Sequence, residues 1–205
     1  MLSLFGRSLQ LSPDAFFCAP HAELARAVRN MAQASMVRLS DSEVDILASG
    51  GKLATARFCI ATWADLADLA APADGARKRC HEQLHQEEID AGKAGTHDVW
   101  ICDYSQSTDR PRYGRRSLPA LTCSSRYSSW LARRDMIARE HLVAQGIRGW
   151  HTPGLPFQLP WLRALQNEVV ADRHVRILAG NGQNLCNIVP LQLFLLSHLE
   201  VLDKE

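Results

Sequence analysis

LPALTCSSRYSSWLARRDMIAREHLVAQGI, residues 118–147, is the stretch that says most about the fold class of this chain. Its first six residues, 118–123, are mostly small and apolar, which predicts a short strand. Residues 136–145 carry a helical pattern, and Gly146 follows where a helix usually ends. A short strand and a helix, in a chain with further helices before them, indicate an α+β protein.

Upstream of this stretch the sequence predicts helices. They are expected to start near four capping or first-turn residues: Pro20, Ser40, Thr62 and Asp74. Ser40 is followed by Glu43 at the spacing of a capping box. Gly92 and Gly95 then interrupt the helical pattern. We therefore expect a helical region of unclear role over residues 1–95 and a different region over residues 96–205.

Downstream of Gly95 the pattern is that of short, mixed elements. Residues 99–102 predict a strand and residues 161–170 a helix, whereas residues 176–178 read as extended and residues 180–182 as a turn. Pro190 is typical of the start of a closing helix. We expect that helix to pack three apolar residues against the rest of this region: Ile188, Leu191 and Leu195.

Overall charge names no partner, because the 205-residue chain has a formal net charge of only +1. The distribution is more informative, since residues 110–139 hold eight arginines and a single acid. Tyr113 and Tyr127 lie among these arginines, and such a segment can bind phosphates and stack on bases. The alternative is a basic loop without a partner. The arginines that we single out are Arg112, Arg115, Arg116 and Arg126.

Cysteine spacing and the two ends of the sequence give indications of the cellular compartment. The six cysteines are spread out and none forms a C-x-x-C pair, which favours a reduced intracellular protein. Residues 1–11 weakly resemble a mitochondrial presequence, although an ordinary exposed start or a misplaced start codon is the preferred interpretation. The apolar run 188–199 is too short to span a bilayer, so we expect no membrane partner.

Two segments together resemble the end of the cytosine-5 DNA methyltransferase family. The ninth motif of that family, a P-x-Φ-T segment followed by a helix that ends in Q-G-Φ, is matched in register by Pro119, Leu121, Thr122, Arg134, Met136, Glu140, Gln145, Gly146 and Ile147. Residues 178–185, LAGNGQNL, are similar to the tenth motif and follow about 35 residues later. Residues 103–107 resemble the segment that leads into the ninth motif. The resemblance covers about residues 99–199, half of the chain.

The resemblance implies a role for each matched residue. The region would correspond to the target-recognition end and closing helix of an α/β S-adenosylmethionine-dependent methyltransferase. Arg134, Glu140, Gln145 and Gly146 would be structural, while Gly180 and Asn181 would approach the cofactor. Double-stranded DNA would be the partner, contacted by Thr122 and the basic loop, and a eukaryotic protein of this kind would work in the nucleus.

The sequence also lacks the parts of the family that perform the chemistry. No cysteine follows a proline, so the nucleophile that attacks cytosine is missing. The glycine-rich turn that holds S-adenosylmethionine and the Glu-Asn-Val segment are absent as well. We therefore expect a fragment or degenerate relative that binds the cofactor poorly or not at all and depends on a catalytic head on another chain. A non-catalytic DNA- or protein-binding module is the alternative.

A second alternative rests on His81-Glu82-Gln83-Leu84-His85, which matches the H-E-x-x-H pattern of zinc metallopeptidases. The two histidines would share a zinc ion and Glu82 would be the general base. The charged neighbours Glu87 and Glu88 are unusual for such a site. A solvated helix is therefore the interpretation that we favour, and no metal is expected.

Overall fold

The structure, a computed structural model, describes residues 12–54, 59–96, 99–108, 113–114, 118–147, 150, 172–182 and 192. Within these residues the chain is an α+β protein of six α-helices, a short 3-10 helix at Pro13–Phe16 and one small antiparallel sheet. The predicted α+β class is therefore confirmed at this general level. Residues 1–11, the predicted helix 161–170 and, apart from residue 192, the predicted closing helix with Ile188, Leu191 and Leu195 lie outside the described residues.

Four helices fill the N-terminal part, as the sequence predicts. They are α1 (His21–Ala34), α2 (Asp41–Ala48), α3 (Trp63–Ala70) and α4 (Pro72–Asp90). Ser40 completes the predicted capping box, because its backbone N–H donates to Glu43 Oε2 at 2.7 Å and its Oγ accepts from Glu43 N. Thr62 caps α3 in the same way. The predicted cap Asp74 instead lies in the first turn of α4, which starts at Pro72.

The first three helices enclose an apolar core. Each contributes an inward face of aliphatic or aromatic side chains, and the loop before α3 adds two more. The largest members of this cluster are Leu24, Val28, Val44, Leu47, Leu53, Ile60, Trp63 and Leu66. The N-terminal part is therefore held together by hydrocarbon burial.

A four-stranded antiparallel sheet follows α4, with the strand order β2–β1–β3–β4. Its strands are β1 (Ile101–Asp103), β2 (Tyr113–Gly114), β3 (Tyr127–Ser129) and β4 (Arg134–Asp135). The strand predicted over residues 99–102 is confirmed, but it starts two residues later and ends one residue later. Its residue Cys102 lies opposite Tyr113 on one side and Ser128 on the other.

The strand predicted over residues 118–123 is wrong. Pro119 has no N–H to give a ladder, and the Tyr127 hydroxyl donates to the carbonyls of Pro119 and Ala120, at 3.1 and 2.9 Å. Ser125 N then donates to Thr122 O at 3.1 Å and closes a turn. The segment is a packed loop because its carbonyls are bonded to side chains and to its own turn.

Two helices close the described part of the fold: α5 (Ala138–Ala144), as predicted, and α6 (Asp172–Asn181). The expectation of an extended segment at residues 176–178 and a turn at residues 180–182 is wrong, because α6 runs through to Asn181. Val175 and Ala179, four residues apart, are buried against Ala138 and Leu142 of α5. This packing outweighs the turn preference of the Gly-Asn pair. None of the helices in the described ranges is long and apolar enough to cross a membrane.

Candidate functional site

The two segments that resemble the ninth and tenth methyltransferase motifs lie against each other. Gly180 of α6 faces the loop before β3 so closely that a Cβ there would overlap the backbone of Thr122 and Cys123. The Cys123 thiol donates to Asn181 Oδ1 at 2.8 Å. Asn181, the last residue of α6, therefore bonds to the loop that contains Cys123. The resemblance instead implies a position beside the cofactor for Asn181.

Gln145 makes a second connection between the same segments. Its buried side chain donates from Nε2 to the carbonyl of Ala179 at 2.9 Å and more weakly to that of Gly182 at 3.4 Å. The last carbonyls of a helix have no partner within the helix, so this amide satisfies groups that α6 leaves open. Gly146, with φ 79°, ends α5 directly after Gln145 in a conformation that favours glycine.

Arg134 and Glu140 form a buried, bidentate ion pair at 2.8 and 2.7 Å. Glu140 also accepts from the backbone N–H of Ala19 at 2.8 Å and of Ile137 at 3.0 Å. Its carboxylate thus joins the segment before α1, the strand β4 and the start of α5. These contacts hold backbone in place, which is the structural role that the resemblance implies for both residues.

Asp103, which the sequence analysis did not single out, organises the turn beside this pair of segments. Its Oδ1 accepts from Ser105 Oγ at 2.6 Å and from Arg126 N at 3.1 Å, and its Oδ2 accepts from Ser125 Oγ at 3.0 Å. Residues 103–107 and 122–126 are therefore fixed to each other. An aspartate at the end of a buried strand, followed by Ser105, was the available signal.

The basic loop, residues 110–126, is described over residues 113–114 and 118–126. Arg112, Arg115 and Arg116 lie outside the described residues, while Arg126 forms an ion pair with Asp74 Oδ2 at 2.7 Å. Arg126 therefore has an acidic neighbour from outside the loop, because α4 brings Asp74 to it. Thr122 is exposed, and its hydroxyl lies 2.8 Å from Ser125 Oγ.

Arg176 of α6 is a second arginine near Arg126 that the sequence analysis did not select. Burial, and then the positive charge of Arg126, lowers the pKa of Arg176. Both arginines line a cavity of about 220 Å³ between α1, α4 and α6. Asp74 and Asp172 line it too, so the cavity is not an exclusively positive site. Four aspartates and three basic residues line it, so charges of both signs surround the cavity.

The H-E-x-x-H histidines are buried, so the expectation of a solvated helix is wrong for this face of α4. The His85 ring stacks on Trp100 at a centroid distance of 4.4 Å, and His81 Nε2 lies 3.2 Å from the carbonyl of Gln106. The polar sequence of α4 does not reveal that the sheet packs against it. Across the described ranges no three His, Cys, Asp or Glu side chains lie together in a way that could hold a metal. The arrangement therefore gives no support to a zinc peptidase.

Comparisons of the chain with protein-family models, with curated proteins and with solved structures found no match.

Proposed function

We propose that this chain is a C-terminal fragment or degenerate relative of a cytosine-5 DNA methyltransferase, which contributes DNA recognition and closure of the cofactor pocket. One observation carries the proposal. The segments that resemble the ninth and tenth motifs, which are far apart in sequence, meet at Gly180, Asn181 and Gln145.

The contacts within these segments support the proposal further. Arg134 and Glu140, which match the ninth motif, form hydrogen bonds with each other and with backbone groups. Asp103 links the lead-in segment to the loop that contains Thr122. A protein that keeps this framework without a nucleophile retains the parts that position DNA, so the chemistry belongs to a catalytic head on another chain. S-adenosylmethionine would be held mainly by that head.

DNA recognition in this proposal depends on the basic loop. With a net charge of +1, the chain has little long-range attraction for DNA, so binding must come from a concentrated group of arginines. Arg112, Arg115 and Arg116 have no acidic residue beside them in the sequence of the loop, whereas Arg126 already has Asp74. We therefore assign most of the phosphate binding to the first three.

The test is binding of a fluorescently labelled DNA duplex by the full chain, followed by anisotropy between about 50 and 200 mM salt. The double variant Arg115→Ala/Arg116→Ala should bind more weakly and reduce the salt slope by about one unit per lost phosphate contact. Arg29→Ala/Arg38→Ala is the matched control, because it removes the same charge from an exposed part of the helical region.

The outcomes separate the alternatives. Equal weakening by both double variants would mean that only net charge matters and would contradict recognition by the loop. Absence of DNA binding by the unmodified chain at low salt would favour the protein-binding alternative. Transfer of a labelled methyl group to cytosine by the isolated chain would contradict the proposed dependence on a separate head.

A further inference from the structure

A cavity of about 490 Å³ lies next to the strand β3. It is bounded by the start of α3, by the middle of α4 and by the turn between β3 and β4. The residues that matter for its chemistry are Thr62, Lys78, Glu82, Ser128, Trp130 and Arg133. Its volume is in the range of small-molecule sites.

Glu82 is the unusual group in this cavity. Its side chain is half-buried, and this burial raises the pKa of its carboxyl group. Lys78 is near but is bonded to Asp135 at 2.7 Å, and Glu82 forms no hydrogen bond or ion pair with the residues that the structure describes. A desolvated carboxylate without a partner is costly, so a bound cation would stabilise it.

Arg133 supplies the opposite charge. It lies in the turn after β3 with φ 52°, a conformation that is uncommon for a residue other than glycine. Arg133 is exposed and lines the same cavity. Arg133 has no ion pair among the described residues, with Glu82 or with any other acid. Two charges of opposite sign, each without an ion pair among the described residues, therefore line one cavity.

Apolar and hydroxyl groups complete the walls. Trp130 is half-buried and Leu131 is exposed, and both line the cavity. Ser128 is on the same wall, and the hydroxyl of Thr62 is engaged with Asp65 at 2.8 Å. A ligand would thus find a negative group, a positive group and an apolar surface together.

We propose that this cavity binds a free α-amino acid with an apolar side chain. Its ammonium group would pair with Glu82, its carboxylate would take two hydrogen bonds from the Arg133 guanidinium, and its side chain would contact Trp130. Lys78 is held by Asp135 and shapes the cavity without contributing a free charge. The site is separate from the basic loop, so it does not depend on the proposed role in DNA recognition.

The experiment is titration calorimetry of the full chain with L-leucine and L-phenylalanine. Two analogues probe the charges, because N-acetyl-L-leucine lacks the ammonium group and L-leucine methyl ester lacks the carboxylate. We expect each analogue to bind at least about tenfold more weakly than L-leucine, which corresponds to about 1.4 kcal/mol.

Variants of the chain assign the two contacts. Glu82→Gln should weaken L-leucine binding at least about tenfold but leave N-acetyl-L-leucine binding unchanged. Arg133→Gln should also weaken L-leucine binding at least about tenfold, but it should leave binding of the methyl ester unchanged. Glu87→Gln, on an exposed position of the same helix, is the matched control and should bind as the unmodified chain does. Circular dichroism and thermal unfolding verify that each variant is folded.

The pH dependence gives a further readout. Glu82 faces Lys78 and Arg79 from its own helix, Asp68 from α3 and Asp135 from β4. Because burial raises its pKa, L-leucine affinity should fall as the pH drops through that raised value, and Glu82→Gln should remove the dependence. Absence of amino-acid binding, or equal binding by folded Glu82→Gln and Arg133→Gln, would overturn the proposal.

Discussion

The core of α1 to α3 and the described part of the fold from α4 onward are stabilised in different ways. The core of α1, α2 and α3 consists of apolar side chains such as Val28, Leu47 and Leu66. By contrast, every buried polar or charged side chain in the described ranges lies at Lys78 or later in the sequence. These buried polar or charged side chains include Arg134, Glu140, His141 and Gln145, which lie beside the α5–α6 contact.

The two kinds of core should differ in how well they tolerate amino-acid substitution. Apolar contacts are non-directional, so a core of this kind accepts other side chains of similar volume. Buried polar groups require their partners at the correct distance and angle, because an unmatched group keeps its full desolvation cost. The C-terminal part should therefore be the more sensitive to substitution and to pH, and its polar contacts define one arrangement of the two motif-like segments.

The largest effect is expected for Arg134→Met. It leaves the Glu140 carboxylate buried without its guanidinium, which should lower the free energy of unfolding by about 3–5 kcal/mol. The double variant Arg134→Met/Glu140→Gln removes the stranded charge and should lose less. Urea denaturation at pH 7 measures both, and a double variant less stable than the single one would contradict the argument.

Leu47→Ala should cost about 3 kcal/mol, because it leaves a cavity in a fully buried part of the helical core. Leu47→Met keeps the volume and should cost less than about 1.5 kcal/mol. The same denaturation experiment compares the two. If Leu47→Met lowered the free energy of unfolding as much as Leu47→Ala does, the helical core would tolerate substitution no better than the polar contacts of the C-terminal part.

His141 should make the C-terminal part sensitive to acid. Burial, and then the positive charge of Arg176, lowers the pKa of His141 from 6.5 to about 3. Between these values the unfolded chain binds the extra proton, so the contribution of His141 is complete above pH 6.5 and is lost as the pH falls toward 3. The slope should be about 1.4 kcal/mol per pH unit.

The check is the free energy of unfolding at several pH values for the unmodified chain and for His141→Phe. The variant should lack this part of the slope, whereas Leu47→Ala should keep it while being less stable throughout. A slope that persists unchanged in His141→Phe would assign the acid sensitivity to other groups.

The smallest effect is expected at the surface of the helical part. Ser40→Ala removes the side-chain cap of α2 and should cost about 1 kcal/mol, whereas Ser40→Asp keeps an acceptor and should cost much less. Thermal unfolding of the two variants measures the difference. Equal loss in both would mean that the Ser40 hydroxyl is needed for its contacts with Ser42 or Glu43 rather than as a cap.

Local signals were sufficient for most of the helical part. The Ser40 capping box and the Thr62 cap are encoded within four residues of sequence, so their helices were predicted correctly. The strands β3 and β4 have three and two residues, too few to show a period. The helix α6 was missed because its stability comes from packing on α5, which no local pattern contains.

The candidate sites divide in the same way. The pairing of Arg134 with Glu140 follows from a nearby motif, but the bond from Ala19 to Glu140 joins residues 121 positions apart and has no signal in either segment. The burial of His81 and His85 depends on where the sheet lies. Glu82 was considered only as part of a zinc motif, since the cavity it shares with Arg133 exists only after α4 and the hairpin come together.

The contact between Cys123 and Asn181 has a consequence for synthesis of the chain. The two residues are 58 positions apart, so at roughly 5–20 residues per second the ribosome makes the second about 3–12 s after the first. During that interval the apolar helices α1 to α3 can already pack on one another. The loop at Cys123 and the Gln145 amide still lack the α6 residues that they contact, so the newly made C-terminal part depends on other shielding until Gly180 is synthesised.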